Sequence, residues 1–177
     1  MKESKLNVHK IALLGVLTAA TIVIAIAESF IPSIGIPGVK LGLANIMILV
    51  ILYELGILDA ILVNLARVIS VGLIRGTFLS MGFVMSLAGA TLSLAVMIVL
   101  YLIVKKFSIV GVSVVGSLFH VTGQILVAMI YLGTTYVIFY LPIIGISAII
   151  TGVLVGFVAK MIIDTGVIKR QKEKYNF

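Results

Sequence analysis

The sequence predicts an all-α membrane protein, a bundle of six transmembrane helices with both termini cytoplasmic, and three observations predict it. Of 177 residues, 62% are hydrophobic and 11% charged; a soluble domain carries about 25% charged residues, so this supply cannot build a water-facing shell. Mean hydropathy is +1.35. The apolar residues form near-continuous runs, as in Ile46-Met47-Ile48-Leu49-Val50-Ile51-Leu52, where a barrel strand would alternate over about ten residues. Lipid satisfies no backbone N–H or C=O, so runs of this kind must be helices.

A span needs about 20 apolar residues, and the chain divides accordingly into one integral membrane domain, residues 1–177. The first span covers residues 10–31 and stops at Pro32. Its basic flank, Lys2, Lys5 and Lys10, resembles that of a signal peptide, but the apolar stretch is too long for an h-region, so it reads as retained. Residues 32–38 contain two of the three prolines and read as a structured loop. The second span covers 39–55 and ends at Gly56. The third covers 57–74 and closes at Arg75-Gly76-Thr77. The fourth covers 78–104, before Lys105-Lys106. The fifth covers 109–132, before Gly133-Thr134-Thr135. The sixth covers 136–163, with Pro142 near its start, and a polar tail follows from Lys169.

Lysine and arginine in short loops set the orientation. With the N-terminus inside, Lys2, Lys5, Lys10, Lys105, Lys106, Lys160, Lys169, Arg170, Lys172 and Lys174 are cytoplasmic. Only Lys40 and Arg75 lie at outer ends, with Arg67 inside the third span. The link between the second and third spans is the exception: it is cytoplasmic yet carries Glu54 and Asp59. Acidic residues weigh little in this rule.

Depth is the functional signal. A charge within the bilayer is costly and faces a cavity or a partner. Glu28, Lys40, Asn45, Arg67, Arg75, Gln124, Tyr136 and Tyr140 all fall in the outer half, with His120 near the middle. In the inner half, Glu54, Asp59, Lys160 and Asp164 keep to the edge. At about 100° per residue, Asn64 and Arg75 lie about 20° apart around their helix and Arg67 about 60° from Asn64. One face thus presents an amide and two guanidiniums. His120 and Gln124, four residues apart, share a face of another helix. The expected site is a pocket open to the outside, formed by Glu28, Lys40, Asn45, Asn64, Arg67, Arg75, His120, Gln124 and Tyr140. Three cations against one acid favour an anionic ligand, since the arginine fork donates in pairs to carboxylate or phosphate.

Plainer readings stand beside this one. Arg75 and Lys40 also suit snorkelling to lipid phosphates, and Glu28 could be only a counter-ion. Tyr136 and Tyr140 fit an interfacial belt. Asn45, Asn64 and His120 could hydrogen-bond between helices. On the first helix, Ala12, Gly15, Ala19 and Ala20 form a small-residue stripe of the kind that lets another helix approach closely. Ala88-Gly89-Ala90, and Gly152 with Gly156, offer similar spacing and suit internal packing equally well.

Several function classes are disfavoured. The chain has no cysteine and two histidines, so neither a disulfide framework nor a histidine-rich metal cage is expected. The net charge of +7 sits at span ends and tails, where lipid topology accounts for it, so no nucleic acid is expected. The six acidic residues are never closer than five positions, which suits no Mg²⁺-dependent diphosphate chemistry. No enzyme activity, metal or cofactor is therefore expected.

Certain segments resemble a known family. They are Pro37-Gly38-Val39-Lys40-Leu41-Gly42-Leu43-Ala44-Asn45, Leu65-Ala66-Arg67, Arg75-Gly76-Thr77-Phe78-Leu79-Ser80 and Ser86-Leu87-Ala88-Gly89-Ala90. Over nearly its full length the chain resembles the Gx transporter family, also labelled heptaprenyl diphosphate synthase component I, which is itself similar to the S components of energy-coupling factor (ECF) importers. The resemblance implies a six-helix binding subunit that takes its ligand near the outer surface, under the loop between the first two helices. It implies that Ala12, Gly15, Ala19 and Ala20 dock onto a transmembrane T component that works with two cytoplasmic ATPases, although Val16 interrupts the small-residue series. It places Lys40, Asn45, Arg67 and Arg75 in the pocket. The chain has no Gly-Lys-Ser/Thr phosphate loop, so any coupling to ATP must come from other chains. The label itself suggests an alternative, a non-catalytic membrane accessory subunit in polyprenyl diphosphate or quinone biosynthesis.

Overall fold

Among the described residues, seven α-helices and one 3-10 helix account for most of the chain: α1 (Val8–Glu28), α2 (Asn45–Glu54), α3 (Ile57–Ile74), α4 (Met81–Ile103), α5 (Ile109–Leu132), the 3-10 helix (Thr135–Tyr140), α6 (Leu141–Asp164) and α7 (Val167–Tyr175). The computed structural model describes residues 8–30, 40, 42–103 and 107–175, and contains no strand among them. The expected loop at 32–38 and the basic pair Lys105-Lys106 lie outside the described residues.

Five of these segments are long and apolar enough to cross a membrane: α1, α3, α4, α5, and the 3-10 helix taken with α6. The second expected span, 39–55, is not among them. Its helix is ten residues long, about 15 Å at 1.5 Å per residue, half the roughly 30 Å of a hydrocarbon core. Ile48, Leu49, Val50, Ile51 and Leu52 are all 0% exposed. A helix apolar on every side is buried among other helices or in lipid, and the two environments select the same residues. The sequence could not separate them; here α2 is enclosed by α1, α3, α4, α5 and α6.

Two details concern ends. The fourth span begins at Met81, because Gly76 and Leu79 both take positive φ and hold residues 75–80 as turns. The expected polar tail is helical and forms α7.

The end of α3 is set by a paired cap. Gly76, at φ 62°, donates to the Leu73 carbonyl at 3.1 Å, and Thr77 donates to Gly72 at 2.9 Å. This arrangement favours glycine at the left-handed position, and it leaves Arg75 on the last helical turn.

The outer helices associate through small residues. A Cβ added at Gly152 would lie 2.7 Å from the Val114 Cα, and one at Gly156 the same distance from the Val110 Cα, so α5 and α6 are in backbone contact there. A Cβ at Gly123 on α5 would lie 2.9 Å from the Ala88 carbonyl oxygen of α4. Gly152, Gly156 and the Ala88-Gly89-Ala90 cluster therefore serve internal packing, where dispersion replaces the hydrophobic driving force that lipid removes. Hydroxyls in this apolar setting bond back along their own helix, as Thr21 Oγ1 does to the Leu17 carbonyl at 2.6 Å.

One end of the bundle gathers both ends of the described chain. Lys10 Nζ lies 2.8 Å from Asp59 Oδ2. Lys172 Nζ donates to the Glu54 carbonyl at 3.3 Å, and the His9 and Tyr175 rings stack with centroids 3.8 Å apart. The acidic link between α2 and α3, anomalous by charge counting, is thus matched by basic groups of α1 and α7.

Candidate functional site

The opposite end holds a pocket of about 660 Å³ between α1, α3, α4, α5 and the residues leading into α2. Among the described residues, Lys40, Gly42 and Ala44, which precede α2, contribute to its lining. Glu28 reaches it from the last turn of α1, Lys40 from the chain before α2, Arg67 and Arg75 from α3, and His120 from α5. Five of the nine expected site residues therefore line one hollow. Val68, Val71 and Phe83 form an apolar wall, and Thr77 and Ser86 supply hydroxyls.

Three more of the expected residues stand behind the lining and hold it. Arg67, 5% exposed, donates from Nη2 to Asn64 Oδ1 at 2.8 Å and from Nη1 to Asn45 Oδ1 at 3.4 Å. Each amide passes the connection on. Asn64 Nδ2 donates to the Ala90 carbonyl at 3.3 Å, and Asn45 Nδ2 donates to Ser93 Oγ at 3.2 Å. Arg67 thereby ties α2 and α3 to α4. Gln124, fully buried, accepts from the Lys40 backbone N–H at 2.8 Å and donates from Nε2 to the Lys40 carbonyl at 3.3 Å. This reciprocal amide pairing fixes the chain before α2 against α5. Glu28 accepts a short hydrogen bond from the Gly42 N–H. Gly42 sits at φ +85°, and a Cβ there would lie 3.2 Å from Asn45 Nδ2, so the turn that delivers Lys40 requires glycine.

The electrostatics are lopsided. Lys40 interacts with Glu28, Arg75 and Arg67. Among the described residues the ion pair within 4 Å is Lys10 with Asp59, at the far end, so none of the three pocket cations has a carboxylate that close. The His120 ring is 4% exposed and neither nitrogen makes a hydrogen bond. The Gly89 carbonyl influences it electrostatically without meeting hydrogen-bond geometry. A buried polar group without a partner is costly, and here it borders the hollow. No group of three metal-ligating side chains stands together among the described residues.

Tyr140 is the ninth expected residue and does not join. It ends the 3-10 helix, is 46% exposed and does not line the hollow. Tyr136, 75% exposed, stacks near Phe139 with centroids 6.3 Å apart. Sequence depth alone could not give the direction of these tyrosines.

Other lining residues were missed. Val68, Val71 and Gly72 stand seven, four and three positions before Arg75 and so share its face; that spacing was a usable signal. Phe83 and Ser86 had none beyond their segment.

On α1, Ala12, Gly15 and Ala19 are exposed, and a Cβ at Gly15 would meet nothing within 4 Å. Ala20 is partly buried against the core. Most of the stripe is therefore unused within the bundle.

A model of the family described as heptaprenyl diphosphate synthase component I matches residues 17–162. No curated protein and no solved structure matches the chain.

Proposed function

The chain belongs to the heptaprenyl diphosphate synthase component I family, and from that membership we propose that it is the substrate-binding membrane subunit, or S component, of an ECF-type ATP-driven importer. It captures a small anionic, partly apolar metabolite from outside. The observation that carries this reading is the charged hollow at one end of an otherwise apolar bundle: Lys40, Arg67, Arg75, Glu28 and His120 line about 660 Å³ beside Val68, Val71 and Phe83. Charges at bilayer depth mark ligand or ion sites. Ala12, Gly15 and Ala19 present a face on which a T component could dock closely, with two cytoplasmic ATPases supplying energy. Both termini then face the cytoplasm.

The experiment is expression with candidate T and ATPase subunits, scoring co-purification and ATP-dependent uptake of whatever small molecule mass spectrometry finds retained on the purified chain. Stable assembly with ATP-dependent uptake is the expected result. A chain that assembles with none of these subunits and retains no solute would sink the reading.

The family's description as component I favours a second reading, in which the chain is a non-catalytic membrane accessory subunit of a polyprenyl diphosphate synthase. That name implies a partner component. Capture of a soluble prenyl-transferring subunit in the same co-purification, with no uptake, would select it.

A further inference from the structure

We propose that the hollow is matched to a doubly charged phosphoryl head group, with the ligand's apolar part against Val68, Val71 and Phe83. The inference rests on the reading that this hollow is the ligand site, and it specifies the ligand's charge.

The argument begins with what holds Arg67. Its two partners, Asn45 and Asn64, are amides. Amide oxygens accept from the guanidinium and fix its plane without cancelling its charge, as a carboxylate would. A guanidinium has five N–H donors, and these contacts occupy two. Lys40 and Arg75 likewise lack a carboxylate within 4 Å among the described residues. The single acid of the lining, Glu28, is engaged by the Gly42 N–H. Three cations less one carboxylate leave an excess of two positive charges around the hollow. In a partly dehydrated site such an excess is unfavourable until an anion of equal charge enters. A phosphate monoester is close to that charge above its second pKa of about 6, and its oxygens suit a forked donor. His120, buried and without a hydrogen bond at the edge of the hollow, offers a further contact.

Hexyl phosphate and hexyl sulfate test this directly. They share a tetrahedral head and a tail, but at pH 8 the phosphate carries nearly two charges and the sulfate one. Binding is measured by titration calorimetry on the full chain in phosphatidylcholine nanodiscs. The phosphate should bind more tightly by about tenfold or more, the difference made by one further charge-assisted hydrogen bond. Two variants move the excess charge in opposite directions while keeping the hydrogen-bond acceptors. Asn64→Asp places a carboxylate against Arg67 and should reduce the phosphate preference to near parity. Glu28→Gln still accepts from Gly42 and should enlarge it. Equal binding of the two esters by the wild type overturns the inference and leaves the ligand site standing. Binding of neither ester overturns both. Preferences that fail to move in opposite directions in the two variants overturn the charge argument even if the wild type prefers phosphate. Complete loss of hexyl phosphate binding when phosphatidylglycerol is added to the nanodiscs assigns the cations to a lipid headgroup and also overturns it.

Discussion

At the scale of single residues, Arg67 is the group on which most depends. It is buried, it faces the hollow, and its guanidinium joins three helices through Asn45 and Asn64. Its removal should therefore be felt twice. Arg67→Ala leaves two buried amide oxygens without a donor, at about 1–3 kcal/mol each, and removes the deepest positive charge of the pocket. Arg67→Lys separates the effects: a lysine keeps the charge but cannot fork between two acceptors. The expected outcome is a clear fall in thermal stability and loss of the retained small molecule for Arg67→Ala, and loss of most affinity with a smaller stability change for Arg67→Lys. Thermal unfolding in detergent and mass spectrometry of retained solutes check both. Affinity unchanged in Arg67→Lys would show that the fork is dispensable. The sequence revealed the type and depth of these side chains but not their division of labour. Asn45, Asn64 and Gln124 read as ligand contacts because a polar group in an apolar helix has the same appearance whether it touches a solute or braces a neighbour that does.

At the scale of elements, two small-residue patterns of similar appearance have opposite surroundings. A Cβ at Gly152 of α6 would lie 2.7 Å from the Val114 Cα of α5, whereas one at Gly15 of α1 would face open space. Gly152→Ala should cost about 1–3 kcal/mol through overpacking, visible as a lower unfolding midpoint. Gly15→Leu should leave the midpoint within error and, on the proposed function, abolish co-purification with the T component. A midpoint shift in Gly15→Leu as large as that in Gly152→Ala would show the two faces to be equivalent. The same contrast explains how much of the fold was legible. The helices α3 and α5 fall where the sequence put them, because Gly56, Arg75-Gly76 and Gly133 mark their ends with turn chemistry. The length of α2 was not legible, since isoleucine and leucine report exclusion from water and not what excludes it.

At the scale of the whole molecule, charge is segregated between two ends. Lys10 with Asp59, Lys172 with Glu54, and His9 with Tyr175 close one end, while the charged hollow occupies the other. On the proposed function the closed end faces the cytoplasm, as the positive-inside rule would have it. The absence of cysteine makes this simple to test with single cysteines and a membrane-impermeant maleimide. Tyr136→Cys should label on intact cells, and Arg170→Cys only in inverted vesicles; the reverse pattern would invert the topology. Whichever way it is inserted, the five wholly enclosed residues of α2 act as a plug beneath the hollow. On the proposed function, cargo that enters above this plug reaches the far side only if the bundle turns over or its wall comes apart.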